Sequence, residues 1–196
     1  SIVIPVFNEE PNISTLIARL QNTIGQLQTV SCEVIFVDDH STDGSSALLR
    51  EYCQQHTRFR YLRLSRNSGS HIAILAGLQH AEGDCAVFMA ADLQDPPELI
   101  VQMIDRWQQG SRVVWAYREG REGISMIDRL LSGTFYWIVN RMMKMDIPSQ
   151  GVDFALLDRC VINGLGACVG ANPNIFMSVL WMGFSQTFIP YVKQKR

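Results

Sequence analysis

A doubly wound α/β sheet, mostly parallel and with helices on both faces, is the fold this sequence predicts. Two observations carry the prediction. Apolar runs and helix-patterned stretches alternate through the first two thirds of the chain, and such repeats build parallel sheets. The apolar runs are continuous rather than alternating, as strands covered on both faces are. At 196 residues the chain can bury a full core, and no Ser/Gly/Pro-rich linker divides it, so residues 1–196 read as a single domain.

The elements follow in order. "SIVIPVF" is the first strand, and residues 10–27 carry Ile13, Leu16, Ile17, Leu20, Ile24 and Leu27 at helical spacing. "CEVIFV" is the second strand, and "STDGSSALLREYCQQH" opens with residues that favour helix caps. "RYLRL" and the helix "HIAILAGLQHA" come next. "CAVFMA" is the fourth strand, followed by a helix from Pro97 to about Gln109, where proline suits the first turn. "RVVWAY" is the fifth strand. Beyond Arg118 the pattern changes: residues 125–145 read as a long helix, "DFALLD" fits a strand, "NIFMSVLWMGF" a short apolar helix and "SQTFIPYV" a last strand.

Composition narrows the function classes. A net charge of -2 gives no global field to recruit nucleic acid, and nucleic acid is not an expected partner. The five cysteines are scattered without a CxxC pair, which favours a reducing, cytosolic compartment. The four histidines lack the spacing of a zinc site. No uninterrupted apolar run reaches the roughly 18 residues of a membrane span. The chain starts inside a strand-like run and stops at the basic "YVKQKR", so both ends read as cut.

Ligands of open α/β sheets bind at the carboxyl ends of the strands. The five strands end in Pro5, Phe7, Asn8 and Glu9; in Asp38, Asp39 and Asp43; in Arg66 and Asn67; in Asp92, Gln94 and Asp95; and in Arg118 and Arg121. Carboxylates, amides and arginines on one edge suit a phosphate-bearing ligand with a hard divalent cation. Simpler readings stand beside this one. Asp43 reads first as a helix cap. Asp95 and Glu98 are explained by the positive end of the following helix, whereas Asp92 and Gln94, at the strand end itself, are not. Taken singly, each arginine reads as a solvated charge. Ser70 and His71 follow a glycine at a strand-to-helix turn and suit phosphate contact or capping equally. The adjacent acids Asp38 and Asp39 favour a functional reading, because their mutual repulsion needs compensation.

"SIVIPVFNEEPNI", "EVIFVDDHSTDGS", "RLSRNSGSHIAILAGL" and "ADLQDPPELI", in that order and spacing, resemble glycosyltransferase family two. The closest resemblance is to its polyprenyl-phosphate branch, which holds the dolichol-phosphate mannose synthases and bactoprenol glucosyltransferases. The later "YREGRE", "SGTFYWIVNR" and "GVDFALLDR" extend it over essentially the whole chain.

The resemblance implies a GT-A fold, a Rossmann-like sheet with a C-terminal mixed extension. It implies that Pro5, Phe7, Asn8 and Glu9 hold the nucleotide, with Asp39 on the base, Asp38 beside it and Arg66 nearby. It implies Mg2+ or Mn2+ on Asp92, supported by Gln94. Asp153 would act near the acceptor, and Arg118 and Arg121 would face the acceptor phosphate. The implied activity is inverting transfer of a sugar from a nucleotide sugar, UDP-linked by preference, to a polyprenyl phosphate at the cytosolic face of a membrane. Attachment would run through segments beyond Arg196, and homo-oligomerisation stays open.

Three departures stand out. The family usually reads Asp-Ala-Asp where this chain has Ala90-Ala91-Asp92, so one metal carboxylate is absent. It often has Gly-Asp-Phe-Arg where Val152-Asp153-Phe154-Ala155 stands, and lysine where Ser70 follows Gly69. Two rival functions follow: a transferase of the same fold with a saccharide hydroxyl acceptor, and a weakened nucleotide-sugar-binding module. A receiver-type signalling domain also uses paired acids on a parallel sheet, but it leaves the later motifs unexplained.

Overall fold

The computed structural model of the chain describes residues 1–27, 29–119, 154–168 and 174–193. Five strand–helix units or parts of them come first: β1 (Ile2–Val6), α1 (Glu10–Gln26), β2 (Val34–Asp38), α2 (Ser45–Gln55), β3 (Phe59–Arg63), α3 (Ser70–His80), β4 (Cys85–Phe88), α4 (Leu99–Gln108) and β5 (Val113–Arg118). After them come β6 (Phe154–Asp158), α5 (Arg159–Cys168), α6 (Ile175–Trp181) and β7 (Gln186–Tyr191). The helix expected over 125–145 lies outside the described residues.

The strands form one sheet in the order β3-β2-β1-β4-β6-β5-β7. Every neighbouring pair is parallel except those made by β6, which runs antiparallel to both β4 and β5. β1 and β2 pair in register from Ile2 opposite Val34 to Val6 opposite Asp38. This is the mixed extension, and β6 sits inside the sheet rather than at its edge.

Helices cover both faces, which is why the strand runs are apolar throughout. Val34, Ile35, Phe36 and Val37 alternate between the two faces and are all fully buried. On one face, Ile13, Leu16 and Leu20 of α1, Leu49 of α2 and Met103 of α4 pack on Ile4, Phe36 and Val87. On the other, Ala73 and Leu78 of α3, Val161 and Leu165 of α5 and Val179 of α6 pack on Val3, Ile35 and Trp115.

Two element ends differ from the sequence reading. β4 stops at Phe88, although the Met89 amide still bonds the Val3 carbonyl at 3.1 Å, so the chain leaves the sheet at Ala90. α4 starts at Leu99, because a turn precedes it in which Leu99 and Ile100 donate to the carbonyls of Pro96 and Pro97.

Gly77 sets how closely α3 approaches the sheet. A Cβ there would stand 2.2 Å from Val3 Cγ1 and 3.0 Å from Val37 Cγ2, both on rigid β-branched core side chains. Gly77→Ala is expected to cost about 1–3 kcal/mol as overpacking, despite alanine's better helix propensity. Urea unfolding measures it; a stabilised variant would mean that α3 can lift off without loss.

Candidate functional site

The strand order reverses between β1 and β4. α1 leaves β1 over one face, and α3 returns to β4 over the other. Loops diverge at such a switch point and open a crevice at the carboxyl ends of the strands. A cleft of about 200 Å³ lies there, lined by Pro5 near the end of β1, Phe7 and Glu9 after it, Asp39 after β2, Ser70 at the start of α3, and Ala90 and Asp92 after β4. Phe7 keeps 43% of its surface exposed, leaving an aromatic face available to a planar ligand. A larger groove, about 480 Å³, lies between the last turns of α1 and α2, beside Phe59 at the amino end of β3. Its lining holds no carboxylate and no residue from the carboxyl end of a strand.

The neighbouring acids have different surroundings. Asp38 is fully buried and accepts from the Ser41 amide at 2.7 Å, the Tyr61 hydroxyl at 2.7 Å and Arg63 Nη1 at 2.8 Å. Burial pushes its carboxyl up, but the Ser41 and Tyr61 hydrogen bonds and the Arg63 charge outweigh burial and hold it below the usual range. Asp38 therefore braces β2 against β3. Asp39 faces the cleft, and its two oxygens accept the Ser68 and Gly69 amides, each at 2.7 Å. Gly69 supports this approach with a φ of +89°, a region open to glycine at little cost. The carboxylate fixes the loop that leads into α3, and each of its oxygens has a further lone pair for a ligand.

Asn8 is turned to the neighbouring loop. Its Oδ1 accepts the Thr42 amide at 2.8 Å, and its own amide donates to Ser41 Oγ at 3.1 Å. Asp43 caps, as its residue type suggests: its oxygens accept the first amides of two helices, from Ser45 at 3.0 Å and Glu10 at 3.2 Å. Glu9 lies on the cleft wall and accepts from Asn12 Nδ2 at 2.6 Å. Arg66 is exposed and is not part of the cleft lining. Arg118 is half-buried at the carboxyl end of β5, in register with Tyr191 of β7. Arg121 and Asp153 lie outside the described residues.

Asp92 stands on the cleft wall, and its Oδ1 accepts the Gln94 backbone amide at 3.1 Å. Between them Leu93 has a φ of 62°, in the left-handed region. Among the described residues, the non-glycine residues with positive φ are Asn8, His40 and Leu93, just after β1, β2 and β4. Backbone strain of this kind gathers at functional sites. Asp92 offers a carboxylate to a divalent cation, while Ala90, on the same wall, presents a methyl group. Among the described residues no three His, Cys, Asp or Glu side chains form a metal cage of their own. The donor set fits a cation shared with phosphate oxygens and water, as Mg2+ commonly is.

Sequence reasoning did not find the bracing role of Asp38 or the hold of Asp39 on Ser68 and Gly69. The glycine at the strand-to-helix turn was the available signal for the second.

The model of the family described as "Glycosyl transferase family 2" matches residues 1–162. The uncharacterized glycosyltransferase YkcC of Bacillus subtilis is 40% identical over 196 residues, covering 100% of this chain and 60% of its own length. A prophage bactoprenol glucosyl transferase homolog of Escherichia coli is 30% identical over 198 residues, covering 100% of this chain and 64% of its own length. The chain thus spans less than two thirds of these curated relatives. Among solved structures, the mannosyltransferase PcManGT of Pyrobaculum calidifontis, in complex with GDP-Man and Mn2+, superposes with a TM-score of 0.63 at 21% identity, covering 99% of this chain and 55% of its own. Glucosyl-3-phosphoglycerate synthase of Mycobacterium tuberculosis, with Mn2+, UDP and phosphoglyceric acid, gives 0.65 at 19%, covering 100% and 69%. These likenesses show the fold, which is GT-A.

Proposed function

Because the chain belongs to glycosyl transferase family 2, we propose that it is the catalytic domain of an inverting glycosyltransferase that moves a sugar from a nucleotide sugar, UDP-linked by preference, to a polyprenyl phosphate. The observation that carries the reading is the cleft at the β1–β4 switch point, with an exposed aromatic ring, Asp39 and Asp92 on its walls. Phe7 and Pro5 would hold the base and Asp39 would bond it, with Glu9 towards the ribose. Asp38 and Asn8 would act through the loops they fix.

The acceptor is supported by the relatives named as bactoprenol glucosyl transferases. An acceptor phosphate oxygen attacks the anomeric carbon, the bond from that carbon to the diphosphate oxygen breaks, and the nucleoside diphosphate leaves with the bonding pair. Asp92, supported by Gln94, would hold Mg2+ or Mn2+, which when bound neutralises charge on the leaving diphosphate. A phosphate is already ionised at neutral pH, so Asp153 would orient the acceptor rather than deprotonate it. Arg118 and Arg121 would bind its charge. Among the described residues no helix is long and apolar enough to cross a membrane, so the proposed place at the cytosolic face of a membrane rests on the lipid acceptor.

The test is a transfer assay with UDP- and GDP-sugars and Mn2+, offering polyprenyl phosphate and a saccharide hydroxyl separately. The reading expects a sugar-phosphate-polyprenol product. Transfer to the hydroxyl alone, with loss of activity in Asp153→Ala, would favour the saccharide acceptor, because a hydroxyl needs a true base. Nucleotide binding without turnover onto either would favour the binding module.

A further inference from the structure

One acid of "ADLQDPPE", Asp95, is not part of the cleft lining. Asp95 is 3% exposed, and the Tyr191 hydroxyl donates to its Oδ1 at 2.5 Å. Tyr191 is the last residue of β7, at the far edge of the sheet from the nucleotide half. We propose that Tyr191, through Asp95, is a positioning residue that sets the Asp92–Gln94 turn against the acceptor-side strand ends; this rests on the reading of the cleft given above.

Three further contacts of Tyr191 support this. Its ring meets Phe154 edge-on at 5.6 Å between centroids, and Phe154 directly follows Asp153 in the chain. Its backbone lies in register with Arg118. Its carbonyl accepts the Glu119 amide at 2.8 Å, one residue beyond Arg118. One residue, through its side chain and its backbone, thus ties the metal-side turn to the carboxyl end of β5 and the start of β6.

The turn needs such a tie. It leaves the sheet after Met89, and its helix does not begin until Leu99. It also carries Leu93 in the left-handed region, which L side chains rarely adopt. The Asp95–Tyr191 bond fixes the far side of that strained stretch, three residues from Asp92. Without it, Asp92 keeps its place in the sequence but loses its fixed angle to the cleft. A buried polar pair that only stabilised the core would lower the melting temperature and leave metal affinity alone.

The experiment is a Mn2+ titration of UDP and GDP binding by calorimetry, with EDTA controls, on wild type, Tyr191→Phe, Asp95→Ala and the double variant. In Tyr191→Phe the Mn2+ midpoint is expected to rise about tenfold, the factor for losing one charge-assisted hydrogen bond. Affinity in EDTA should stay within twofold of wild type, the limit of a resolvable change. The double variant should be no worse than Asp95→Ala, and Asp95→Asn, which keeps an acceptor oxygen for the hydroxyl, should restore most of the loss. An unchanged Mn2+ midpoint in a cooperatively melting Tyr191→Phe would overturn the proposal alone. Equal loss with Mn2+ and with EDTA would also overturn it, as general loosening. No Mn2+-dependent binding in wild type would overturn the cleft reading and this inference together.

Discussion

Asp92→Ala is expected to abolish the Mn2+-dependent part of nucleotide binding and leave binding in EDTA near wild type. Asp39→Ala is expected to weaken both by about 1.5–3 kcal/mol, the worth of a hydrogen bond to a charged group. The contrast follows from their places. Asp92 stands on the β4 wall of the cleft, where the family's metal motif lies; Asp39 stands on the β2 side and also holds the Ser68 and Gly69 amides. Ala90→Asp should move the metal response the other way, towards tighter Mn2+ binding, since Ala90 shares the wall with Asp92. Calorimetry with UDP and GDP, with and without Mn2+, reads all three. A metal response that survives Asp92→Ala would place the ion elsewhere.

Asp38→Ala should damage the fold more than the site. It leaves the Tyr61 hydroxyl, the Ser41 amide and Arg63 without their shared acceptor. The expected cost is about 3 kcal/mol, the low end for removing one partner of a buried pair, because the Arg63 side chain remains 30% exposed. Acid should expose the same interaction. The Asp38 carboxyl is held below its unfolded value of about 3.9. Its contribution is therefore fully present above that pH and is lost as pH falls through the lower folded value. Wild type and Asp38→Asn should converge in stability as the pH drops below about 4. A difference between them that stays constant down to pH 2 would show that folding does not lower the Asp38 carboxyl.

The strands and their site-bearing ends were legible because each apolar run stops abruptly at polar residues. β2 passes from four fully buried apolar residues directly into Asp38 and Asp39. The different fates of those two acids were not legible. One is claimed by Tyr61 and Arg63, which reach it from β3, and the other by the amides before α3. Adjacent residues at a strand end point in different directions, and only their neighbours in space decide which one lines the cleft. The hold of Asn8 on the neighbouring loop was hidden for a related reason: its side-chain oxygen accepts the Thr42 amide, 34 residues away. Asp95 read as a helix-end acid, and its bond to Tyr191, 96 residues away, is one that no local pattern reports. "DFALLD" read as a strand, but nothing in its four apolar positions fixes which two strands they will separate.

That separation governs the order in which the protein can assemble on the ribosome. β3, β2, β1 and β4 pair with one another using residues that have all emerged by Phe88. β5 emerges next, yet it has no bond to β4, because β6 must lie between them and starts only at Phe154. Until then a nascent chain holds the half of the sheet from β3 to β4 with one raw edge at β4, and a β5 whose first four residues are apolar and without a partner. Non-local pairing of this kind is slow, and unpaired edges invite aggregation. At a synthesis rate of about 5–20 residues per second, the interval between β5 and β6 lasts seconds, and during it the chain depends on chaperone shielding more than at any other time. A strand placed in the middle of the sheet completes the mature fold and gives the unfinished chain its period of greatest risk.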